Sequence, residues 1–433
     1  MRRFVLAATL LSLVLPALVR DAPAQDAVDP VARSRELYRE GVAFYQRLDY
    51  GGYQRLMEEA ALLRPHHPTL LYKLAGARAL SGDVKGSLEA LNLLAEMGMK
   101  LNPAEDDDFL PLLGEPGFDE VLDRFAKNGR RVGKAEVSVT FEADDFIPES
   151  VAHDPVTGDF FIGSVHLRQI MRVKPDDTTE LFADREDGLW SVMGLKVDAE
   201  RRVLWACTTA APQGKDTPKS EVGRTAVLRF DLDTGEVAKT YLLAEEGVIH
   251  WFGDLAVTPS GDVYITDSMT PRVYVIRQGE DRLEVLVENP GFASLQGITL
   301  SPDGERLFVA DYSYGIYRVD PETGEVWLLP CPREATLLGI DGLYTHKKTL
   351  IAIQNGVQPH RVVRVRLGKH LDTVDKVEVL EANHPRFDEP TLGLVLGDEF
   401  FFVANSQWYR FDEEGGLDPE SGAKGPVVLK MGL

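Results

Sequence analysis

Between residues 149 and 392 the chain repeats one pattern of apolar and polar positions six times. Each copy has a short apolar stretch, a turn with Gly or Asp, and a second stretch that ends in small polar residues, as in ASLQGITLSPDGERLFVADY. Two further stretches alternate apolar and polar residues with period two, the pattern of half-buried strands. Corresponding positions are Glu149, Met193, Gly253, Gln296, Asp341 and Leu392, separated by 44, 60, 43, 45 and 51 residues. This spacing is typical of four-stranded blades, so it predicts a mainly β fold, a six-bladed β-propeller.

A propeller closes when one blade takes strands from both ends of the domain, and two segments are candidates for that role. Residues 136–143, EVSVTFEA, read as an outermost strand, and we expect this strand to join the last blade. The C-terminal PVVLKMGL competes for the same edge, and the pattern leaves the order open. The third strand of the last blade is predicted over residues 408–414, WYRFDEE.

The region before the repeats has apolar residues at spacings of three and four, which predicts helices. With Gly41 in the small-residue position of a tetratricopeptide repeat, Leu37, Phe44, Ala60 and Pro65 occupy other characteristic positions, and a degenerate second copy follows 34 residues later. We therefore predict a small all-α, tetratricopeptide-like domain at 31–128 and the propeller at 134–433. Such a pair of repeats can hold a protein or peptide partner; a packing cap on the propeller and a dimerisation arm are equally open.

The N-terminus and the composition restrict where the protein acts and what it binds. Residues 1–24 combine two arginines, an apolar run and a small-residue cleavage site at Ala24, which predicts a signal peptide and a secreted or periplasmic protein without a membrane span. The net charge of −22 disfavours nucleic acid and anionic membranes as partners. The two cysteines, Cys207 and Cys331, fall in different blades, so no disulfide is predicted.

The repeat also predicts a site, because the start of a blade's first strand and the end of its second strand lie at the same face of a propeller. Polar side chains, most of them with oxygen atoms, therefore collect around one mouth of the central channel: Glu149, Asp254, Gln296, Asp341, Ser164, His166, Asp267, Asp311, Gln354, Asn355 and Asn405, with Asp388 and Glu389 just before the last blade. Carboxylate and amide oxygens suit a hard divalent cation, with calcium favoured. Asp267 and Asp311 fit a ligand role and hydrogen bonds to backbone amides equally well.

The segments PESVAHD, FGDLAV, LQGITL and IDGLYT carry a resemblance to a known family. The chain from about 134 to 433 resembles the gluconolactonase and regucalcin family of six-bladed propellers. That resemblance implies Glu149, Gln296 and Asp341 as metal ligands. Gly253 stands where the family has a substrate-site asparagine, and Asp254 is a possible substitute for it.

The resemblance implies hydrolysis of lactones or related cyclic esters, with a small-molecule ligand at the mouth. Asp341 would be the base or its metal-bound partner, and His166 and His250 are further candidates for proton transfer. The side chains predicted to bind substrate are Asp254, Trp190, Trp251, Gln354, Asn355 and Asn405. The insertion at 210–225 is predicted to be a mobile flap over the mouth. The alternative is a non-catalytic scaffold that binds a ligand or a protein through the propeller and the helical repeats.

Overall fold

The computed structural model describes residues 29–412, 414–418 and 424–433, so the predicted signal peptide lies outside the described residues. The N-terminal part is helical: α1 Pro30–Gln46, α2 Tyr50–Leu63, α3 Pro68–Ser81, α4 Val84–Glu96 and α5 Phe118–Asn128, with short 3-10 helices at Pro103–Glu105 and Asp107–Leu112. Asp29, Asp49 and Asp83 accept backbone N–H bonds at the starts of α1, α2 and α4. The helices thus begin where a carboxylate satisfies otherwise unpaired amides.

Two apolar cores hold the helices together. One lies between α1, α2 and α3 and includes Leu37, Tyr53 and Met57. A Cβ at Gly41 would lie 2.7 Å from Cε of Met57, so the small residue of the repeat pattern permits α1 and α2 to approach. The other core joins α3, α4 and α5 and includes Val357, which belongs to the propeller. The helical region is therefore packed onto the propeller.

The described residues from 136 onward form six antiparallel sheets of four strands each, which confirms the six-bladed propeller. The first five blades follow chain order. The first blade has β2 Pro148–His153, β3 Phe160–Ser164, β4 Gln169–Val173 and β5 Thr179–Ala183, and the second has β6 Ser191–Asp198, β7 Val203–Thr209, β8 Thr225–Asp231 and β9 Val237–Leu243. The third blade has β10 Phe252–Val257, β11 Val263–Asp267, β12 Arg272–Ile276 and β13 Glu284–Glu288, and the fourth has β14 Leu295–Leu300, β15 Leu307–Asp311, β16 Gly315–Val319 and β17 Val326–Leu328. The fifth blade has β18 Ile340–His346, β19 Thr349–Gln354, β20 Arg361–Leu367 and β21 Val374–Ala382.

The sixth blade closes the ring with both ends of the domain. Its strands run in the order β22 Gly393–Leu396, β23 Glu399–Val403, β24 Val427–Gly432 and β1 Glu136–Thr140. The segment EVSVT is thus the outermost strand of the last blade, as expected, and the C-terminal strand lies beside it in third place. The prediction of a third strand over WYRFDEE is wrong, because β24 occupies that place and Trp408–Arg410 forms a 3-10 helix instead.

Five inner strands are irregular at the positions that correspond between the repeats. The pairing with the second strand shifts between Pro148 and Ser150, Val192 and Leu195, Phe252 and Leu255, Leu295 and Ile298, and Ile340 and Leu343. Each shift brackets the residue that the sequence aligned: Glu149, Met193, Gly253, Gln296 or Asp341. A bulge interrupts the alternation of side chains and re-aims the residue that it contains.

Neighbouring inner strands come very close beside these bulges. A Cβ at Gly297 would lie 2.4 Å from the backbone N of Leu343 and 2.5 Å from the carbonyl oxygen of Asp341. A Cβ at Gly194 would lie 2.8 Å from Cα of Asp254. Gly194 and Gly297 are therefore needed within their bulges, because the next inner strand occupies the space of a side chain. The same position is Ser150 in the first blade and Asp254 in the third.

The helical region covers part of the mouth, at the loops of the fourth and fifth blades. The Lys100 amide donates to the carbonyl of Gln358 at 2.8 Å, and Nη1 of the buried Arg361 donates to the carbonyl of Met97 at 2.8 Å. Arg64 Nη2 donates to the carbonyl of Ser313 at 2.7 Å. These contacts agree with a packing cap on the propeller. Among the described helices, none has the length and apolarity needed to cross a bilayer.

Candidate active site

Glu149 opens the first blade and lies inside the mouth, where its exposed fraction is 8%. Its Oε2 accepts hydrogen bonds from Oγ of Ser406 at 2.7 Å and from Nε1 of Trp408 at 2.9 Å. Both donors come from the segment after β23, in which the 3-10 helix turns Trp408 toward the channel. The departure from the expected strand thus supplies the two donors that orient this carboxylate.

Asp341 opens the fifth blade and is held from the side of the helical region. Nδ2 of Asn355 donates to its Oδ2 at 2.6 Å, and the hydroxyl of Tyr312 donates to Oδ1 of Asn355 at 3.0 Å. Tyr312 and Asn355 follow the second strands of the fourth and fifth blades. The chain Tyr312–Asn355–Asp341 therefore fixes one oxygen of Asp341 and leaves the other without a hydrogen bond from the described residues.

The mouth concentrates negative charge. Burial, together with the charge of Asp341, raises the pKa of Glu149 to about 8, against the hydrogen bonds from Ser406 and Trp408. Burial also raises the pKa of Asp341 to about 7, with contributions from the charges of Glu389 and Asp254 and against the hydrogen bond from Asn355. Carboxyl groups that titrate near neutral pH are typical of catalytic and metal-binding sites.

Glu389 is the third carboxylate of this group, and its backbone is in the left-handed region with φ of 68°. Its Oε2 accepts the amide of Trp408 at 2.8 Å, and its carbonyl accepts the amide of Ser406 at 3.0 Å. Burial raises its pKa. A left-handed residue other than glycine costs about 1 kcal/mol or more, and such residues cluster at functional sites. Glu389 holds in place the segment that presents both donors to Glu149.

In metal-free buffer we expect the free energy of unfolding to fall as the pH rises from about 5 to about 8. In that interval the folded protein keeps protons on Glu149 and Asp341, because their pKa values of about 8 and about 7 exceed the ordinary 4.5 and 3.8. The unfolded chain has already released these protons. Each carboxyl adds a negative slope of at most about 1.4 kcal/mol per pH unit. Denaturant titrations at several pH values measure it.

The control for this pH dependence is Glu149→Gln, which keeps a side-chain oxygen for Ser406 and Trp408. Buried histidines act in the opposite direction: burial lowers the pKa of His67 to about 4, so its contribution to stability grows as the pH rises toward 6.5. The contribution of Glu149 is therefore measured by the difference between the wild type and Glu149→Gln in how the free energy of unfolding changes with pH. The Glu149→Gln variant should lose less stability toward alkaline pH than the wild type, and parallel curves would contradict the expectation.

The side chains at and beside the remaining inner-strand positions differ in whether they have an oxygen atom free to bind a ligand. Nε2 of Gln296 donates to Oγ of Ser294 at 3.1 Å, and its amide oxygen accepts no hydrogen bond from the described residues. A Cβ at Gly253 would lie 2.9 Å from Oγ of Ser268 and 3.7 Å from the amide oxygen of Gln296, so Ser268 already fills the nearer side of this position. Asp254 is 1% exposed and forms an ion pair with Lys196, whose Nζ lies 3.3 Å from its Oδ1. The role predicted for Asp254 in substrate binding stays a prediction.

Aromatic side chains line the mouth beside Glu149. The rings of Trp251 and Trp408 lie 6.3 Å apart, and Phe411 packs edge-on against Trp408 at 5.8 Å. His166 lies 5.8 Å from the ring of Phe411, and its Nδ1 is 2.7 Å from the carbonyl oxygen of Gln213. Because a carbonyl only accepts, Nδ1 carries the proton and Nε2 is the basic nitrogen. We name Trp251, Trp408 and Phe411 the aromatic wall.

The insertion at 210–225 is tied to the first blade. The amide of Lys215 donates to the carbonyl of His166 at 2.8 Å, and Nη1 of Arg168 reaches the carbonyls of Lys215 and Asp216 at 3.3 and 3.4 Å. Nε1 of Trp190 donates to Oε2 of Glu221 at 2.9 Å. The loop is thus anchored at several points by the residues that line the mouth, and its predicted motion as a flap stays a prediction.

The polar residues that end the second strands bind backbone groups. Asp267 accepts the amides of Trp251, Met269 and Thr270, and its Oδ2 lies 2.7 Å from Nδ1 of the fully buried His250. Asp311 accepts four amides, those of Ala293, Ser294, Ser313 and Tyr314. Oγ of Ser164 accepts the amide of Leu167, and the side-chain amide of Gln354 donates to the carbonyls of Thr336 and Leu338. Asn405 donates to the carbonyl of Gly425 and accepts the amide of Val427. For Asp267 and Asp311 these contacts support the structural alternative, in which they fix the turns at the mouth.

The oxygens at the mouth fit a hard cation by type. Oε1 of Glu149, Oδ1 of Asp341 and the amide oxygen of Gln296 accept no hydrogen bond from the described residues, and the raised pKa values of the two acids indicate carboxylates without a positive partner. Among the described residues, no three His, Cys, Asp or Glu side chains are grouped as a metal site. Calcium takes about six to eight oxygen ligands, so amide oxygens and water would have to complete the shell.

The sequence pattern did not indicate Ser406 and Lys196 as neighbours of the candidate residues. Ser406 directly follows Asn405 at the end of a second strand, so a wider window at each strand end finds it. Lys196 interrupts the apolar inner strand β6, and a charged residue in such a strand signals a buried partner.

The chain has weak similarity to known proteins. No family model and no curated protein matches the chain. Among solved structures, it is similar to a gluconolactonase from Xanthomonas campestris, with 16% identity, a TM-score of 0.48, and coverage of 70% of this chain and 92% of that one. It is also similar to a PQQ-bound aldose sugar dehydrogenase from Streptomyces coelicolor, with 14% identity, a TM-score of 0.47, and coverage of 69% of this chain and 98% of that one. For virginiamycin B lyase from Staphylococcus aureus the identity is 13% and the TM-score 0.44, with coverage of 69% of this chain and 100% of that one. These proteins carry out different reactions, and at such values the similarity carries no argument about chemistry.

Proposed function

We propose that the mouth is the active site of an exported, metal-dependent hydrolase of lactonase type, which acts on lactones or related cyclic esters. The observation that carries the proposal is the pair Glu149 and Asp341. Both carboxylates are placed by strand bulges at the channel mouth, each is fixed through one oxygen, and both have raised pKa values with no positive partner beside them. Such a pair favours a bound cation, because a cation removes the electrostatic cost of two buried negative charges.

In the proposed hydrolysis, water adds to the ester carbon, the ring C–O bond breaks, and the ring oxygen takes a proton, so the product is a hydroxy acid. A bound divalent cation supplies Lewis acidity for the ester carbonyl. Glu149, Gln296 and Asp341 would contribute oxygen ligands to the cation. Asp341 would also take the proton from water. The aromatic wall would pack against the apolar part of the substrate.

The test is a calorimetric titration with calcium of the wild type and of Asp341→Ala, followed by turnover of a panel of lactones. We expect the substitution to weaken calcium binding by at least about tenfold, because it removes one charged ligand. Lactone hydrolysis by the wild type should require calcium, and Asp341→Ala should abolish it. The matched control is Asp281→Ala, which removes a carboxylate with a side chain that is 80% exposed on the surface.

The outcomes separate two functions. Calcium binding without turnover would favour the alternative, a non-catalytic scaffold that binds a ligand or a protein partner. That alternative is supported by the absence, among the described residues, of three grouped His, Cys, Asp or Glu ligands and by Gly253 at the substrate position. If the wild type binds no calcium, the hydrolase proposal is wrong as framed.

A further inference from the structure

A cavity of about 920 Å³ lies between the helical region and the propeller, and neither proposed function accounts for it. We name it the interdomain cavity. Its helical wall includes Arg35, Tyr38 and Arg39 from α1. Its propeller wall includes Tyr312 and Asn355. The volume lies within the range of about 300–1,000 Å³ that is typical of small-molecule sites.

The charges that line this cavity are all positive. Arg35, Arg39 and Arg64 line it, and no aspartate or glutamate among the described residues does, although acidic residues outnumber basic ones by 69 to 47 in the whole chain. Within the described residues none of the three arginines forms an ion pair. Arg64 is held by the carbonyl of Ser313, and Nε of Arg39 donates to the carbonyl of Arg35 at 3.3 Å. The charge of Asp29 acts on Arg35 and Arg64 from outside the lining. Three guanidinium groups with no carboxylate among the described lining residues still form a site that favours an anion.

The rest of the lining is largely apolar and aromatic. Tyr38, Tyr72, Met99, Leu101 and Val357 present carbon surface to the cavity. His67 also lines it, and burial lowers its pKa to about 4, so it is neutral at physiological pH. A ligand that matches this surface has an apolar body and an anionic group at one end. An inorganic ion would leave the apolar wall uncovered, and a folded peptide would exceed the volume.

We propose that the interdomain cavity binds a small organic carboxylate with an apolar body, whose anionic group lies among Arg35, Arg39 and Arg64. Asn355 belongs both to this cavity and to the hydrogen-bond chain that ends at Asp341. The cavity therefore borders the residue that holds Asp341. The proposal goes beyond the proposed hydrolase and does not depend on a metal at the mouth.

The test compares two probes of equal shape, 4-phenylbutanoate and 4-phenylbutanamide, by calorimetry on the full protein in buffer with a chelator. The probes share one carbon skeleton and differ at the end group, which is an anionic carboxylate in one and a neutral amide in the other. The ratio of their affinities, compared between the wild type and the arginine variant, therefore measures the contribution of the arginines. We expect the carboxylate to bind the wild type about tenfold more tightly than the amide, as a charge-assisted hydrogen bond predicts. In the double variant Arg35→Gln, Arg39→Gln this preference should fall to about twofold or less. Both arginines are exposed and support no other element through their side chains, so the variant should fold.

The matched control is Arg47→Gln, which removes a cation from the exposed end of α1 outside the cavity. It should keep the preference of the wild type. The proposal is overturned if the two probes bind equally, if the double variant keeps the preference, or if neither probe binds at millimolar concentration. Because the chelator removes calcium, failure of the metal site at the mouth leaves this result unchanged.

Discussion

Replacing Gly297 by alanine should destabilise the propeller by about 3 kcal/mol, at the upper end of the range for overpacked interiors. The added Cβ would lie 2.4 Å from the amide nitrogen of Leu343 and 2.5 Å from the carbonyl oxygen of Asp341. Both are backbone atoms of β18, so the clash cannot be relieved by a rotamer change. The inner strands of the fourth and fifth blades must separate, and Asp341 must move with its strand. Denaturant unfolding, monitored by tryptophan fluorescence, measures the loss.

The matched control is Gly432→Ala in β24. This glycine is exposed, and a Cβ there would meet no atom within 4 Å. The control substitution should change the free energy of unfolding by less than about 0.5 kcal/mol, as is usual at surface positions. If Gly297→Ala and Gly432→Ala have similar stabilities, the close approach of the inner strands does not limit the packing of the ring.

The repeat predicted the ring of blades because every blade buries the same face and so has the same alternation of residues. Gly194 and Gly297 are small because the next inner strand lies against them, so the sequence itself carries a sign of this close approach. The last blade was harder, since WYRFDEE alternates like a strand although β24, from the C-terminal end, fills its place. The alternation within one segment does not show whether a segment distant in the chain will pair at the same place in the sheet.

For the site, the inner-strand carboxylates could be predicted and most of their partners could not. Glu149 and Asp341 follow from the repeat alone. The hydrogen bonds from Ser406 and Trp408 depend on the 3-10 helix that replaces the expected strand. The interdomain cavity depends on how the helices dock, through contacts such as Arg361 to the carbonyl of Met97, and helical periodicity does not specify a docking surface.

Replacing Lys196 by methionine should lower the free energy of unfolding by about 3–5 kcal/mol, the range for one partner of a buried ion pair. Asp254 is 1% exposed, neither of its oxygens accepts a hydrogen bond from the described residues, and Nζ of Lys196 lies 3.3 Å from Oδ1. The same Nζ lies 5.1 Å from the centre of the Tyr344 ring. Methionine fills similar volume without the charge, so a buried carboxylate would remain in the channel without a counter-charge.

Lys239→Met is the matched control, because Lys239 also combines an ion pair with a tyrosine ring. Its Nζ lies 3.2 Å from Oδ2 of Asp281, with a side chain that is 80% exposed, and 5.9 Å from the ring of Tyr241. Since water screens this pair, the control should lose less than about 1 kcal/mol. Adding Asp254→Asn to Lys196→Met should restore part of the stability, because the unpaired charge is then removed as well. If both lysine variants lost the same free energy of unfolding, the ion pair between Lys196 and Asp254 would stabilise the protein no more than an ion pair on the surface, and the prediction would be wrong.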